Sequence, residues 1–225
     1  MTEQINVSAV TVHCNQNGTQ DGYKGMLQAL KDGHVAMSIE VKASGTRYWA
    51  TAPNPLSLMR LVGRLDPVPA GMDPVDPQFS YEVINPDAPF CLYLDVEDDR
   101  PTRDNKDIFS KTIEILQETL CETFGEDIDT RHICVDACND GKASRHYIYP
   151  AVIFDNLIST KAFMLKVTNK IDADDRWSAL RWPYDNEGKL RVYPWVIDTS
   201  VLSRFRCFRL AMCRKRKANS TPLSV

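Results

Sequence analysis

From residue 80 onward the hydrophobic pattern alternates between a period of two and a period near 3.6, and that alternation admits few architectures. SYEVI (80–84) and FCLYLDVE (90–97) read as strands. Residues 105–124 (NKDIFSKTIEILQETLCETF) then place Phe109, Ile113, Leu116, Leu120 and Phe124 at spacings of four, three, four and four, the single apolar stripe of a helix. HICVDAC (132–138) reads as a strand, NDG (139–141) as a turn, and SRHYIYPAVIF (144–154) as a strand broken by Pro150. Residues 159–171 are helical in pattern, and LRVYPWVID (190–198) and FRCFRLAMC (205–213) read as the last strands. A one-striped helix must bury its stripe against a second layer. The order strand, helix, strand, strand, helix, strand therefore predicts an α+β fold, a split βαβ sheet packed on one face by helices.

The upstream part is a smaller unit. Residues 22–31 read as a short amphipathic helix stopped near Gly33, and HVAMSIEV (34–41) and RYWATA (47–52) as strands joined by the turn-former KASG. Residues 54–64 suit a helix entered through Asn54-Pro55, with proline in the first helical position. DPVPAGMDPVDPQ (66–78), with four prolines and one glycine, marks the expected boundary between an N-terminal α/β lobe, 1–79, and a second lobe, 80–225.

Composition narrows the function classes. With 43% hydrophobic and 25% charged residues, the 225-residue chain is an ordinary soluble globular protein. A net charge of −3 excludes bulk electrostatic attraction to nucleic acid, so any such binding needs a local basic patch. One exists: residues 204–217 carry seven Arg or Lys, whereas 95–107 carry six carboxylates. The two runs read either as compensating salt bridges or as the metal end and phosphate end of one site. Seven cysteines, at 14, 91, 121, 134, 138, 207 and 213, include no CxxC pair and read as free thiols of a reducing compartment. No apolar run approaches the roughly 18 residues of a membrane span, and MTEQINVSAV has no signal-peptide core. The expectation is an intracellular protein without membrane contact.

Asp95 and Glu97 end the FCLYL strand and point to one face, with Cα atoms roughly 6.5–7 Å apart, while Leu92, Leu94 and Val96 point to the other. Like charges this close repel, and a divalent cation relieves the repulsion. A lone D-x-E is equally a solvated strand end. In GKASRHYIY (141–149), Lys142, Ser144 and His146 share one strand face, either a ladder of donors for phosphate oxygens or a polar edge strand. In WVIDTSVLSRFRCFRL (195–210), Asp198 ends an apolar run and is followed by Arg204, Arg206 and Arg209.

These three segments, in this order, resemble the archaeo-eukaryotic primase superfamily, most of all its eukaryotic primase-polymerase branch. The resemblance spans about residues 80–215, with GTRYW (45–49) similar to a segment preceding the catalytic core. It implies a two-lobed primase fold whose catalytic lobe is an RRM-like split βαβ sheet. It implies a DNA primase and polymerase, adding nucleotides to a primer or starting a strand, in replication and damage tolerance. By resemblance Asp95, Glu97 and Asp198 are the catalytic carboxylates holding two divalent cations, Mg²⁺ or Mn²⁺. Ser144, His146 and Lys142 contact the phosphates of the incoming dNTP or NTP, and Arg209 its triphosphate. Lys215 and Arg206 match further basic contacts, and Arg47 matches an arginine near the templating pair. Arg204, Arg206 and the 214–217 run, beginning at Arg214, line the expected groove for single-stranded DNA template.

The chain also departs from the family. Leu202-Ser203 stands where the family has tyrosine–threonine, and Phe205 and Cys207 replace polar residues, which bears on substrate preference. The C-terminal zinc-binding module of eukaryotic members has no counterpart here, so a longer protein is expected, with room for replication-protein partners outside this chain. The expected compartment is the nucleus or mitochondrion, or a viral replication compartment. Two alternatives stay open. A non-catalytic RRM-like module would stack single-stranded nucleic acid on Tyr147, Tyr149, Phe205 and Phe208. A metal-dependent phosphohydrolase or nuclease would use the same carboxylates.

Overall fold

A computed structural model describes residues 10–14, 21–40, 47–58, 80–98, 100, 105–138, 142–185 and 187–209. The protein is α+β, with two antiparallel sheets. It divides into two compact units, Met1–Asn85 with Phe205–Leu223 and Pro86–Arg204 with Ser224–Val225. The expected boundary at 79/80 thus moves to 85/86, and the segment after Arg204 returns to the first unit. The reason is strand pairing: the strand at 80–83 and the last strand both join the first sheet.

That sheet runs β1 (Thr11–Cys14), β3 (Arg47–Ala52), β2 (Val35–Glu40), β4 (Ser80–Val83), β8 (Cys207–Arg209). Met37, Ile39, Ala50 and Ala52 form a core on one face with Leu58. On the other face Ala36, Trp49 and Val83 pack against Met26 and Leu30 of α1 (Asp21–Lys31). α1 stops where expected, at Gly33, whose φ of 83° is costly for any other residue. Gly25 lets α1 approach β1 closely, since a Cβ there would lie 2.6 Å from His13 Nδ1. Residues 55–58 are helical, with the Asn54 carboxamide oxygen accepting from the Ser57 amide at 3.0 Å. β1 was not legible in the sequence. Residues 59–64, the expected boundary segment 66–78, the expected turns at KASG and 139–141, and the end of the expected last strand, 210–213, lie outside the described residues.

The second sheet runs β5 (Phe90–Asp98), β7 (Ala143–Phe154), β6 (Ile133–Asp136). An isolated antiparallel bridge, Val96 with Ile197, adds residues 196–198 along the free edge of β5. The helices are α2 (Asn105–Phe124) and α3 (Leu157–Ala173), the latter capped by Asn156, whose side chain accepts from the amides of Ile158 and Ser159. Leu92, Leu94 and Val96 are at most 1% exposed, and burying each stabilises the fold by roughly 1.5–3 kcal/mol.

Three expectations are corrected here. The α2 stripe is rotated: Ile108, Ile115, Leu116 and Leu120 are fully buried, while Phe124 is half exposed and rests on Phe154 and Phe163. β7 continues through Pro150 as one strand, and the expected break takes the form of a bulge there: Pro150–Val152 have no partner on β5, whose consecutive Cys91 and Leu92 pair with Ile153 and Tyr149. Residues 190–198 form no continuous strand. They make three separate bridges, because they turn back in a hairpin before reaching β5. The five described cysteine side chains are free thiols, and no helix among the described residues is long and apolar enough to cross a membrane.

Candidate functional site: a carboxylate edge in the second unit

Strand register brings the acidic and donor residues together. On β5 and β7, Asp95 is the partner of His146 and Glu97 of Ser144. Cross-strand partners share a face, so all four side chains project from the face away from Leu92 and Leu94. On the opposite edge of β5 the Asp198 amide donates to the Asp95 carbonyl at 2.8 Å and the Glu97 amide to the Val196 carbonyl at 2.8 Å. This pattern sets Asp198 opposite Asp95 on the same face, with Cα atoms roughly 5.5 Å apart. Tyr93, two residues before Asp95, donates its hydroxyl to the Val201 carbonyl at 2.9 Å and anchors the turn after Asp198.

The side chains are held individually. Asp95, Ser144 and His146 are all buried; Ser144 Oγ donates to Asp95 Oδ1 at 3.5 Å and His146 Nε2 stands 3.7 Å from its Oδ2. Lys142 Nζ contacts Glu97 Oε1 at 2.5 Å. Asp198 caps the short 3-10 helix at Thr199–Val201, accepting from the Ser200 amide at 2.9 Å. Among the described residues no group of three or more His, Cys, Asp or Glu side chains is gathered closely enough to hold a metal ion. Glu97 is drawn to Lys142 and Asp198 to the Ser200 amide. The donor set is nonetheless all hard oxygen, from backbone positions on one sheet face, and such a set suits Mg²⁺ or Mn²⁺.

The other predicted residues fall elsewhere. Arg204 is in this unit, exposed and paired with Asp87 at 2.9 Å. Arg47, Arg206 and Arg209 belong to the first unit. There Arg209 is the cross-strand partner of Tyr81, and the Arg47 guanidinium lies 5.6 Å from the Tyr81 ring centroid. Arg47 donates to Glu40 at 2.6 Å, and the Tyr81 hydroxyl donates to the same carboxylate at 3.2 Å. Burial, then the Glu40 charge, pushes the Tyr81 hydroxyl up to about 12, so it stays a donor. Arg206 gives its carbonyl to the Ile84 amide. Arg214 and Lys215 lie outside the described residues. Of the proposed stacking aromatics, Tyr147 and Tyr149 are fully buried among the residues under the helices, and Phe208 is buried too. A base cannot reach them, which corrects that assignment.

Two features were missed by reading the sequence. Asp98 is no solvated strand end: it is buried and holds Arg100 through three hydrogen bonds, from its amide at 3.0 Å and its guanidinium at 2.7 and 3.1 Å, while Arg100 also donates to the carbonyls of Arg181 and Ala179. The second is the hairpin that starts from that anchored base. Its rungs are Arg181 with Trp195 and Tyr184 with Leu190, and it closes in a turn where Asp185 Oδ1 accepts from the amides of Glu187 and Lys189. Asp185 followed by Gly188, whose φ is 79°, was the available turn signal. A cavity of about 470 Å³ lies between the hairpin and the carboxylate edge, lined by Lys189, Arg191, Tyr193 and Trp195 together with Glu97 and Asp198.

No family model matches the chain, and no curated protein matches it. Among solved structures it is similar to a protein of Fusobacterium nucleatum subsp. nucleatum ATCC 25586 named "Putative monooxygenase". The identity is 13% over 72% of this chain and 82% of that one, with a TM-score of 0.28. So low a score carries no argument about fold or activity.

Proposed function

We propose that this chain is a template-dependent nucleotidyltransferase, a primase-polymerase core of the archaeo-eukaryotic primase superfamily. The observation that carries the proposal is the pairing of Asp198 beside Asp95, on the face that also presents Glu97, Ser144 and His146. About a hundred residues separate the two aspartates, so strand pairing and not local sequence sets them side by side. Strand order supports the finer fold. Taken as 196–198, β5, β7, β6, it follows the chain order fourth, first, third, second, that of RRM-like split βαβ sheets.

Asp95, Glu97 and Asp198 would hold two divalent cations, Mg²⁺ or Mn²⁺. These would activate a primer 3′-hydroxyl and neutralise charge on the departing pyrophosphate. Lys142, partly exposed, donates to the phosphates of the incoming dNTP or NTP on the β7 flank of the carboxylates; Ser144 and His146, buried beside Asp95, reach them only once that face opens. In the reaction the 3′-hydroxyl gives its proton to solvent, its oxygen bonds to the α-phosphorus, the bond from that phosphorus to the bridging oxygen breaks, and pyrophosphate leaves. The chain's contribution is alignment of these groups and fixed charge. Single-stranded DNA template is the expected macromolecular ligand, with Arg204 and Arg206 among its contacts.

Burial of Tyr147, Tyr149 and Phe208 counts against a base-stacking module without catalysis. The test is extension of a labelled primer on a template with Mn²⁺ and nucleotides. The wild-type chain should extend it, and Asp95→Ala should lower incorporation by about a hundredfold or more. Asp95→Ala acting at the wild-type rate overturns the assignment. Shortening of the primer without nucleotide would establish the nuclease alternative instead.

A further inference from the structure

We propose that the hairpin spanning 181–195 is the platform that holds the 3′ end of the primer strand against the carboxylate edge. This rests on the polymerase function proposed above.

The two edges of β5 carry different chemistry. β7 lies on one edge and presents Ser144 and His146, the donors assigned to the triphosphate. Residues 196–198 lie on the other edge, and the hairpin leads directly into them. Displacement at phosphorus is in line: the attacking oxygen arrives opposite the leaving pyrophosphate. With pyrophosphate held on the β7 flank, the 3′-hydroxyl arrives from the hairpin flank. The cavity on that flank contains both Glu97 and Asp198 and, at about 470 Å³, is of ligand-binding size.

The hairpin is built for contact, not for a core. Leu190 is 69%, Val192 85% and Tyr193 42% exposed, three large apolar side chains clustered in one solvent-facing stretch. Its backbone is nonetheless held by hydrogen bonds. The Trp182 amide donates to the Pro194 carbonyl and the Arg191 amide to the Pro183 carbonyl, while Trp195 Nε1 donates to Asp172 at 3.0 Å. The Arg191 guanidinium is stacked 3.5 Å from the Trp182 ring centroid. The cavity also holds Asp185, and Arg191 is engaged with Trp182, so the exposed Tyr193 is the stacking surface for a base and Lys189 the cation for a strand phosphate. The incoming nucleotide does not need this surface, because its phosphates are placed on the other flank.

The experiment uses the full chain and a fluorescent primer–template whose primer ends in a dideoxynucleotide, so binding is read without turnover. Anisotropy is measured for wild type, Tyr193→Ala, Tyr193→Phe and Lys189→Glu, alongside steady-state extension of an ordinary primer. Because residue 193 is exposed, the variants should melt like wild type. Tyr193→Ala should weaken primer–template binding by about tenfold and Tyr193→Phe should restore it. Affinity for template alone and KM for the nucleotide should not change. Unchanged primer affinity overturns the hairpin assignment, as does equal weakening for template alone or a rise in nucleotide KM only. A wild-type chain that neither binds nor extends the primer overturns the polymerase function as well, so the two failures are distinguishable.

Discussion

Asp95 is where the three segments of the candidate site meet: its side chain meets Ser144 and His146, and its carbonyl receives the Asp198 amide. Tyr93 keeps that arrangement from the same strand face, through its hydrogen bond to Val201. Tyr93→Phe keeps the ring and removes one buried hydrogen bond, leaving the Val201 carbonyl without that donor. Chemical denaturation should show a loss of about 1 kcal/mol. On the proposed function, incorporation should fall while KM for the nucleotide holds, since Tyr93 acts through the position of Asp198. The Asp95–Glu97 pairing itself could be read from side-chain alternation alone. The clamp at Tyr93 could not, because a tyrosine in an apolar strand reads as core until its hydroxyl has a partner.

Among the elements, β1 and α1 carry a pH sensitivity. Burial, and then the charge of His34, holds the His13 imidazole below its ordinary value of 6.5. His13 Nε2 pairs with Thr51 Oγ1 at 2.9 Å, tying β1 to β3. An unfolded His13 takes up its proton as pH falls through 6.5, whereas the folded one resists, so the unfolded state binds more protons in that window. Stability is therefore full above 6.5 and falls on acidification below it, until the folded imidazole titrates too. His13→Gln should flatten the dependence of the melting temperature on pH between about 6.5 and 5. An unaltered slope would show that another group sets it. The strand and helix segments were legible here from period and punctuation: α1, β2, β3 and β5 fall within two residues of their expected bounds. The failures have physical causes. β1 is four residues long, too short for a periodic signal, and the hairpin's alternating apolar residues imitate a strand although they face solvent.

Over the whole molecule a net charge of −3 means that nucleic-acid affinity must come from few residues. Were Arg204, Arg206, Arg214 and Lys215 each to neutralise one phosphate, the log–log salt dependence of single-strand binding would have a slope of about −3. Arg204 must first leave Asp87. Arg204→Gln should reduce the slope by about 0.7, measured by anisotropy across a salt series. A flat salt dependence would remove those residues from the interface. Division into two units also belongs to this scale. The proline-rich stretch suggested a simple cut, yet the chain crosses into the second unit at Pro86 and returns at Phe205. Pairing of β8 with β4 requires that return, and no local feature of either strand announces it.

By itself the sequence determined which side chains share a face within each strand, because alternation along a strand is local and has a period of two. That was enough to put Asp95 with Glu97 and Ser144 with His146. Only the tertiary structure decided that Asp198 joins the first pair, that Tyr147 and Tyr149 turn inward, and that a hydrogen-bonded hairpin borders the acidic edge. Those outcomes depend on which strands pair and in what register. Such contacts span tens to a hundred residues, and their free energy comes from the assembled sheet and not from any one segment.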